Sequence, residues 1–266
     1  MKTFIVDSFT SEYFKGNPAG VCFPEKELSE PKMQNIATEL GLSETAFVMP
    51  VEEKDTYTIR YFSPKKEIPL CGHATLASAK VIFKEGGPDK IHFITIENLD
   101  LTVTKHGEEI TLEFPVYDTE PAIVSPAMLK ALGLTAVNNT VFSSHNKIIM
   151  LEIGSPEVLE NLNPDFNALI PSHHGINGVL VTAPAGKGYD YHYRYFWPWA
   201  GTNEDPVTGA VQTFLAKYWG AKLNKKKMKS FQSSSRTGYM NVQLLNEKVL
   251  LTSRAVIVLE GNLMVA

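Results

Sequence analysis

Glu44, His73 and Asp205 are the residues of this chain best suited to move or hold a proton, and the surroundings of each ask for a reason. Glu44 lies in the stretch Leu42 to Met49, LSETAFVM, whose composition is that of a strand. Strand alternation puts it on one face with Leu42, Ala46 and Val48. A carboxyl among apolar neighbours is partly desolvated and suits a group that accepts a proton and gives it back near neutral pH. The competing reading is an edge residue or a member of a structural network. His73 follows Cys71-Gly72 at the start of an apolar segment. It could bond a substrate, orient Glu44, or only cap its own turn. Asp205 precedes Pro206, where it could bind substrate or cap the turn before a second apolar segment.

The elements that must position these residues come in two copies. Tyr57, Arg60, Tyr61, Phe62 and Pro64 match Tyr191, Arg194, Tyr195, Phe196 and Pro198 at a constant offset of 134 (191 − 57), and Ser43 to Pro50 falls on Asn177 to Pro184 without a gap. Beyond Pro198 the offset is 137, so Glu67, Pro69 and Gly72 fall on Glu204, Pro206 and Gly209. The periodicities predict a first strand to Phe9, a turn over Lys15 to Gly20, and a second strand Val21 to Phe23. A helix follows with Ser29 as N-cap and Gly41 as its stop, burying Met33, Ile36, Ala37 and Leu40. A helix Ala74 to Phe83, apolar nearly all round, should be buried, and so should its copy Ala210 to Trp219, stopped by Gly220. Pro164 to Ile170 falls where the Met33 helix does, and a short helix runs from Ser125-Pro126 to Gly133.

This is the pattern of an α+β protein of two similar halves, 1–118 and 119–254, related by an approximate two-fold, with the strand 255–266 a candidate to complete the first. A cleft between the halves is the expected site. Two buried helices that begin at a glycine would present unpaired backbone N–H groups there, at Gly72-His73 and at Gly209-Ala210. Such ends favour an anion, most simply a substrate carboxylate.

The differences between the copies carry the chemistry. Glu44 falls on Gly178, His73 on Ala210 and Asp205 on Ile68, so each ionisable group is present once. Cys71 falls on Thr208, and an opposed pair of thiols is therefore missing. Cys22, in an apolar strand, reads as core. Arg236, in Gln232 to Gly238, could supply a cationic contact to a substrate acid group or belong to a polar turn.

Composition narrows the partners. With 266 residues, 44% of them hydrophobic, the chain can fill a sizeable core. A formal charge of −4 leaves no footprint for nucleic acid, and the basic run Lys225 to Lys229 reads as a solvated turn. The N-terminus alternates like a strand rather than a signal peptide, and no stretch approaches membrane-spanning length, so the expected location is the cytoplasm. Two cysteines make no disulfide framework, no Cys/His spacing suggests a metal, and no phosphate-binding glycine loop suggests a dinucleotide cofactor.

Four motifs together resemble the phenazine-biosynthesis PhzF-like family, of the diaminopimelate-epimerase-like fold: Gly16-Asn17-Pro18-Ala19-Gly20-Val21, Ser43-Glu44-Thr45-Ala46-Phe47, Pro69-Leu70-Cys71-Gly72-His73-Ala74-Thr75 and Glu204-Asp205-Pro206-Val207-Thr208-Gly209. The resemblance implies two barrel-like halves, each a curled, mostly antiparallel sheet around a central helix, and a homodimer. It implies a cofactor-independent isomerase in which Glu44 shuttles a proton and the residues matching His73 and Asp205 assist; the candidate contacts to a small carboxylate substrate are Asn17, Gly72, His73, Asp205, Gly209, Ala210 and Arg236. Ala210 departs from the family pattern, which has a substrate-contacting serine there, so the phenazine substrate does not carry over with the fold. A small-acid-binding or protein-interaction member without catalysis, and a thiol-dependent epimerase, are the alternatives.

Overall fold

Every second residue apolar makes strands, and two helices apolar on nearly all faces require sheets to enclose them. The computed structural model describes residues 1–184, 186 and 188–264. The chain divides into two compact units, Met1–Phe114 with Leu250–Ala266, and Pro115–Val249.

In the first unit β1 (Lys2–Ser8) and β2 (Asn17–Phe23) pair antiparallel. The turn expected over Lys15 to Gly20 is thus half strand. Pro18, lacking an N–H, lies opposite Asp7, and β3 (Glu44–Pro50) runs parallel to β2 only from Ala19 onward. Between them α1 (Glu30–Leu40) ends at Gly41 in the left-handed region, φ 63°. Its start differs from expectation, because Ser29 caps through its carbonyl, which accepts from Lys32 and Met33, and not through its hydroxyl. β4 (Thr56–Phe62) is antiparallel to β3 and to β5 (Glu67–Ile68). After α2 (Gly72–Lys84), β6 (Lys90–Ile94) pairs parallel with β4, and β7 (Asp100–His106) and β8 (Glu109–Pro115) continue as a meander. Every α2 residue from Gly72 to Phe83 except Lys80 is buried.

The second unit opens with β9 (Glu120–Pro121) and α3 (Pro126–Leu132), which Ser125 caps by accepting from the Met128 N–H and Gly133 closes at φ 74°. β10 (Asn139–Ser143) and β11 (Ile148–Glu152) form a hairpin, followed by α4 (Pro156–Glu160) and α5 (Phe166–Leu169). The expected counterpart of α1 is thus four α-helical residues running into a 3₁₀ turn at Pro171, whose ring cannot continue the α-helical ladder. β12 (Gly178–Pro184) is parallel to β11 and antiparallel to β13 (Tyr191–Trp197); β13 pairs with β14 (Thr202–Asp205) and, in parallel, with β15 (Lys227–Gln232), which pairs with β16 (Gly238–Leu244).

The central helix of this unit, α6 (Gln212–Leu223), lies later than the sequence suggests. Gly209 and Ala210 form a tight lead-in turn, with Gln212 N–H donating to Gly209 O at 3.0 Å. Gly220 is inside the helix, where a Cβ would lie 3.0 Å from Lys225 O; the stop is Asn224, at φ 52°. The chain then returns to the first unit through β17 (Lys248–Ser253), paired with β8, and β18 (Ala255–Asn262), antiparallel to β1. The first sheet therefore runs β18-β1-β2-β3-β4-β6-β7-β8-β17. Its two ends are consecutive in the chain, so it curls about α2.

Registers repeat with the sequence offsets. Thr45 pairs with Phe62 and Pro50 with Tyr57, as Val179 pairs with Phe196 and Pro184 with Tyr191. Tyr61 opposite Ile68 becomes Tyr195 opposite Asp205. Arg60 Nε donates to Glu67 Oε1 at 2.7 Å and Arg194 Nε to Glu204 Oε1 at 2.7 Å, each guanidinium lying over the phenylalanine two residues on.

Candidate functional site

In the first unit, Glu44 is the first residue of β3 and His73 the second of α2, and the fold brings them together on buried ground: Glu44 is 3% exposed and His73 5%. Glu44 Oε2 is 3.2 Å from His73 Nε2. Asn17, fully buried at the head of β2, sets its amide nitrogen 3.2 Å from His73 Nδ1. The main chain of His73 is held as well, since Ser8 Oγ donates to its carbonyl at 2.7 Å. Cys71 is the helix N-cap, its sulfur 3.3 Å from Nδ1 and 3.8 Å from Nε2, and Thr75 donates to its carbonyl at 2.7 Å. The α2 start at Gly72 holds as expected, and its first N–H groups have no partner within the helix.

Charge in this cluster is finely opposed. For His73, burial is the largest influence and disfavours the charged ring; Cys71 and Glu44, by charge and hydrogen bond, outweigh it, so its proton affinity lies well above the ordinary imidazole value. The Cys71 part of that pull requires a thiolate. Burial, again the largest influence, pushes the Cys71 thiol up, with Glu44 adding to it and His73 opposing. While the thiol keeps its proton, the pull on His73 comes from Glu44 alone.

Donor atoms of Glu44, Cys71 and His73 gather within 4.8 Å, a proximity the sequence spacing did not suggest. With Glu44 Oε2 at 3.2 Å and the Cys71 sulfur at 3.8 Å from the same nitrogen, Nε2, the three are spaced closely enough to hold a metal ion.

In the second unit, Asp205 ends β14 and is 6% exposed. Thr208 Oγ1 donates to its Oδ2. Gln232 clamps the same loop from β15, its Nε2 donating to Asp205 O at 2.5 Å and its Oε1 accepting from Thr208 N–H at 2.7 Å. Tyr193 donates to Thr208 O and Ser234 to Pro206 O. The turn carrying Gly209 and Ala210 is therefore rigidly held, although it precedes the helix. Arg236, half-buried, lies in the loop between β15 and β16. Sequence reasoning missed Gln232 as the strap of this loop; only its place in a run of small polar residues marks it.

Asymmetry between the units has a packing cause. At Gly178, the counterpart of Glu44, a Cβ would lie 2.6 Å from the Tyr195 ring and 2.7 Å from Phe196 O. Tyr195 covers the place a side chain would take. Burial first, and the Asp205 charge second, push its phenol far up, so it stays neutral.

Comparison with known proteins agrees with this architecture. A sequence model of the PhzC-PhzF family, phenazine biosynthesis-like protein, matches residues 6–261. A mouse phenazine biosynthesis-like domain-containing protein 1 is 38% identical over 98% of each chain, and an uncharacterized isomerase of Halalkalibacterium halodurans is 38% identical over 98% of this chain and 97% of its own. The crystal structure of a PhzF-family protein of Enterococcus faecalis superposes with a TM-score of 0.90 at 37% identity, covering 98% of this chain and 97% of that one. With the motifs in register and the match running nearly end to end, this chain belongs to the phenazine biosynthesis-like PhzF family.

Proposed function

We propose that this protein is a cofactor-independent isomerase that moves a proton within a small carboxylate-bearing molecule, with Glu44 as the acid/base group. The observation that carries the reading is the buried Glu44–His73 contact at 3.2 Å, in a chain whose second copy has glycine and alanine at the matching positions. A fold repeat accounts for residues that match between the copies and does not account for a pair present in one of them. Glu44 removes a proton beside an activated carbon and returns it elsewhere; His73 steadies the carboxylate; Asp205 positions substrate. Backbone N–H groups at the α2 start, Gly72 and His73, are suited to hold the substrate's acid group. The isomerase name of the Halalkalibacterium relative supports the reaction class. We also propose a homodimer, which sedimentation velocity measures directly.

The test begins with a thermal-shift screen of small carboxylic acids and product analysis of each hit. Glu44→Gln is expected to lower turnover of the identified substrate at least 10³-fold, and solvent deuterium to enter the product. Full turnover by Glu44→Gln sinks the assignment. Hits that bind without ever yielding product would favour a non-catalytic small-acid binder.

A further inference from the structure

A carboxylate, an imidazole and a thiol, all buried, meet where β3 begins and α2 starts. Glu44 Oε2 stands 3.2 Å and the Cys71 sulfur 3.8 Å from His73 Nε2, and one donor atom of each residue lies within 4.8 Å of the others. Zinc bonds of about 2.0–2.1 Å to nitrogen, about 2.0–2.2 Å to oxygen and about 2.3 Å to sulfur, set at tetrahedral angles, give nitrogen–oxygen and nitrogen–sulfur edges of about 3.3 and about 3.6 Å. Both edges measured from Nε2 lie close to these values. The sulfur is also 3.3 Å from Nδ1, so closing the site on Nε2 asks that the Cys71 side chain turn about one bond, Cα–Cβ. The main chains of two of the ligands are already fixed, since Thr75 Oγ1 donates to the Cys71 carbonyl and Ser8 Oγ to that of His73, each at 2.7 Å.

We propose that Glu44, Cys71 and His73 form a binding site for a thiophilic divalent cation, zinc, which closes over the Glu44 carboxylate. The site stands on geometry; its effect on catalysis rests on the reading of Glu44 as the acid/base. A thiolate and a carboxylate bring two negative charges, which a divalent ion cancels beside a neutral imidazole, so the buried cluster carries no net charge. Sulfur selects the ion, because magnesium and calcium take oxygen shells whereas zinc accepts sulfur, nitrogen and oxygen together. The thiol gives up its proton to the ion on binding. With its charge neutralised by zinc, Glu44 is a poor base. Zinc is thus an inhibitor of the isomerase and not its cofactor, and the route that brings substrate to Glu44 serves the ion. The second unit has Gly178, Thr208 and Ala210 at the matching positions, which offer no such set of ligands.

The test takes the full chain, reduced and stripped of metal with a chelator, and titrates it with cobalt chloride as a spectroscopic stand-in, then with zinc chloride in competition. We expect one ion per chain, the visible bands of tetrahedral cobalt, a thiolate-to-cobalt charge-transfer band in the near ultraviolet, and a zinc dissociation constant below about 10 µM. Cys71→Ser is expected to remove the charge-transfer band, and it, His73→Gln and Glu44→Gln each to weaken zinc at least about 10-fold. Cys22→Ala, which removes the other thiol of the chain, should change neither band nor affinity. A wild-type chain that binds zinc more weakly, or binds cobalt without the thiolate band, overturns the proposal even if no variant folds. A folded Cys71→Ser that keeps the band, or a folded Cys22→Ala that loses it, overturns it too. For the substrate found in the screen, zinc should stop turnover and a chelator restore it; full turnover with the site filled overturns the inhibition. Because the metal titration involves no substrate, its failure is distinct from failure of the isomerase reading, which turnover by Glu44→Gln reports.

Discussion

Glu44 is a buried carboxylate that faces a histidine, and the sequence marks it because a carboxylate interrupts an apolar face. His73 and Asp205 were marked in another way, by standing in one copy of the repeat and not in the other. Neither signal reveals that Asn17 and Glu44 share one imidazole, because that contact depends on β2 and β3 being parallel neighbours, a pairing no local pattern encodes. Cys22, expected to be core, is buried, and burial pushes its thiol up to about 11, with Thr3 and the N-terminal charge opposing. The unfolded thiol titrates near 9.0, so the folded state holds its proton more tightly. The resulting stability is complete below pH 9 and lost as pH rises towards 11, at about 1.4 kcal/mol per unit. Denaturant unfolding should therefore find the cost of Cys22→Ala shrinking by about 1 kcal/mol between pH 8 and pH 10.

At the scale of elements, the repeated clamp of arginine on glutamate tests how far the two copies are equivalent. Arg60 is half-buried and bonds Glu67 at the surface, with a weak contact to Glu30. Arg194 is buried; besides Glu204 it donates to the carbonyls of Leu159 and Leu162, closing the ends of α4 and its following turn. Arg194→Ala should destabilise by about 3–5 kcal/mol and Arg60→Ala by about 1 kcal/mol, read from chemical denaturation. The sequence equated the two arginines, and nothing in their spacing shows the carbonyl cradle. Gly178→Ala, in β12, forces a Cβ against the Phe196 carbonyl and the Tyr195 ring, and should cost about 1–3 kcal/mol in the same assay. The shift of α6 by two residues was likewise hidden, since Gly209 and Ala210 are compatible with a helix start until the carbonyls of Gly209 and Ala210 are seen to bond three residues on.

For the whole molecule, the repetition of strand registers was legible from the offset of 134, because a repeat of registers follows a repeat of residues. What remained hidden was how much of the first unit its last strands supply. β18 pairs with β1 over seven residues, from Lys2 to Ser8, and β17 with β8, so a chain ending at Val249 leaves β1 an open edge. Such a truncation should lose cooperative unfolding of the first unit and aggregate, while the continuous segment Pro115–Val249 keeps its own transition; calorimetry distinguishes the two. No helix among the described residues is long and apolar enough to cross a membrane. The burial of Glu44 also has a stereochemical consequence on the proposed reading. If this one carboxyl both takes and returns the proton, hydrogen leaves and returns on the face of the substrate that Glu44 meets, so the migration is suprafacial. A label carried by the migrating hydrogen would then be retained in part within the same molecule of product, in competition with washout to solvent.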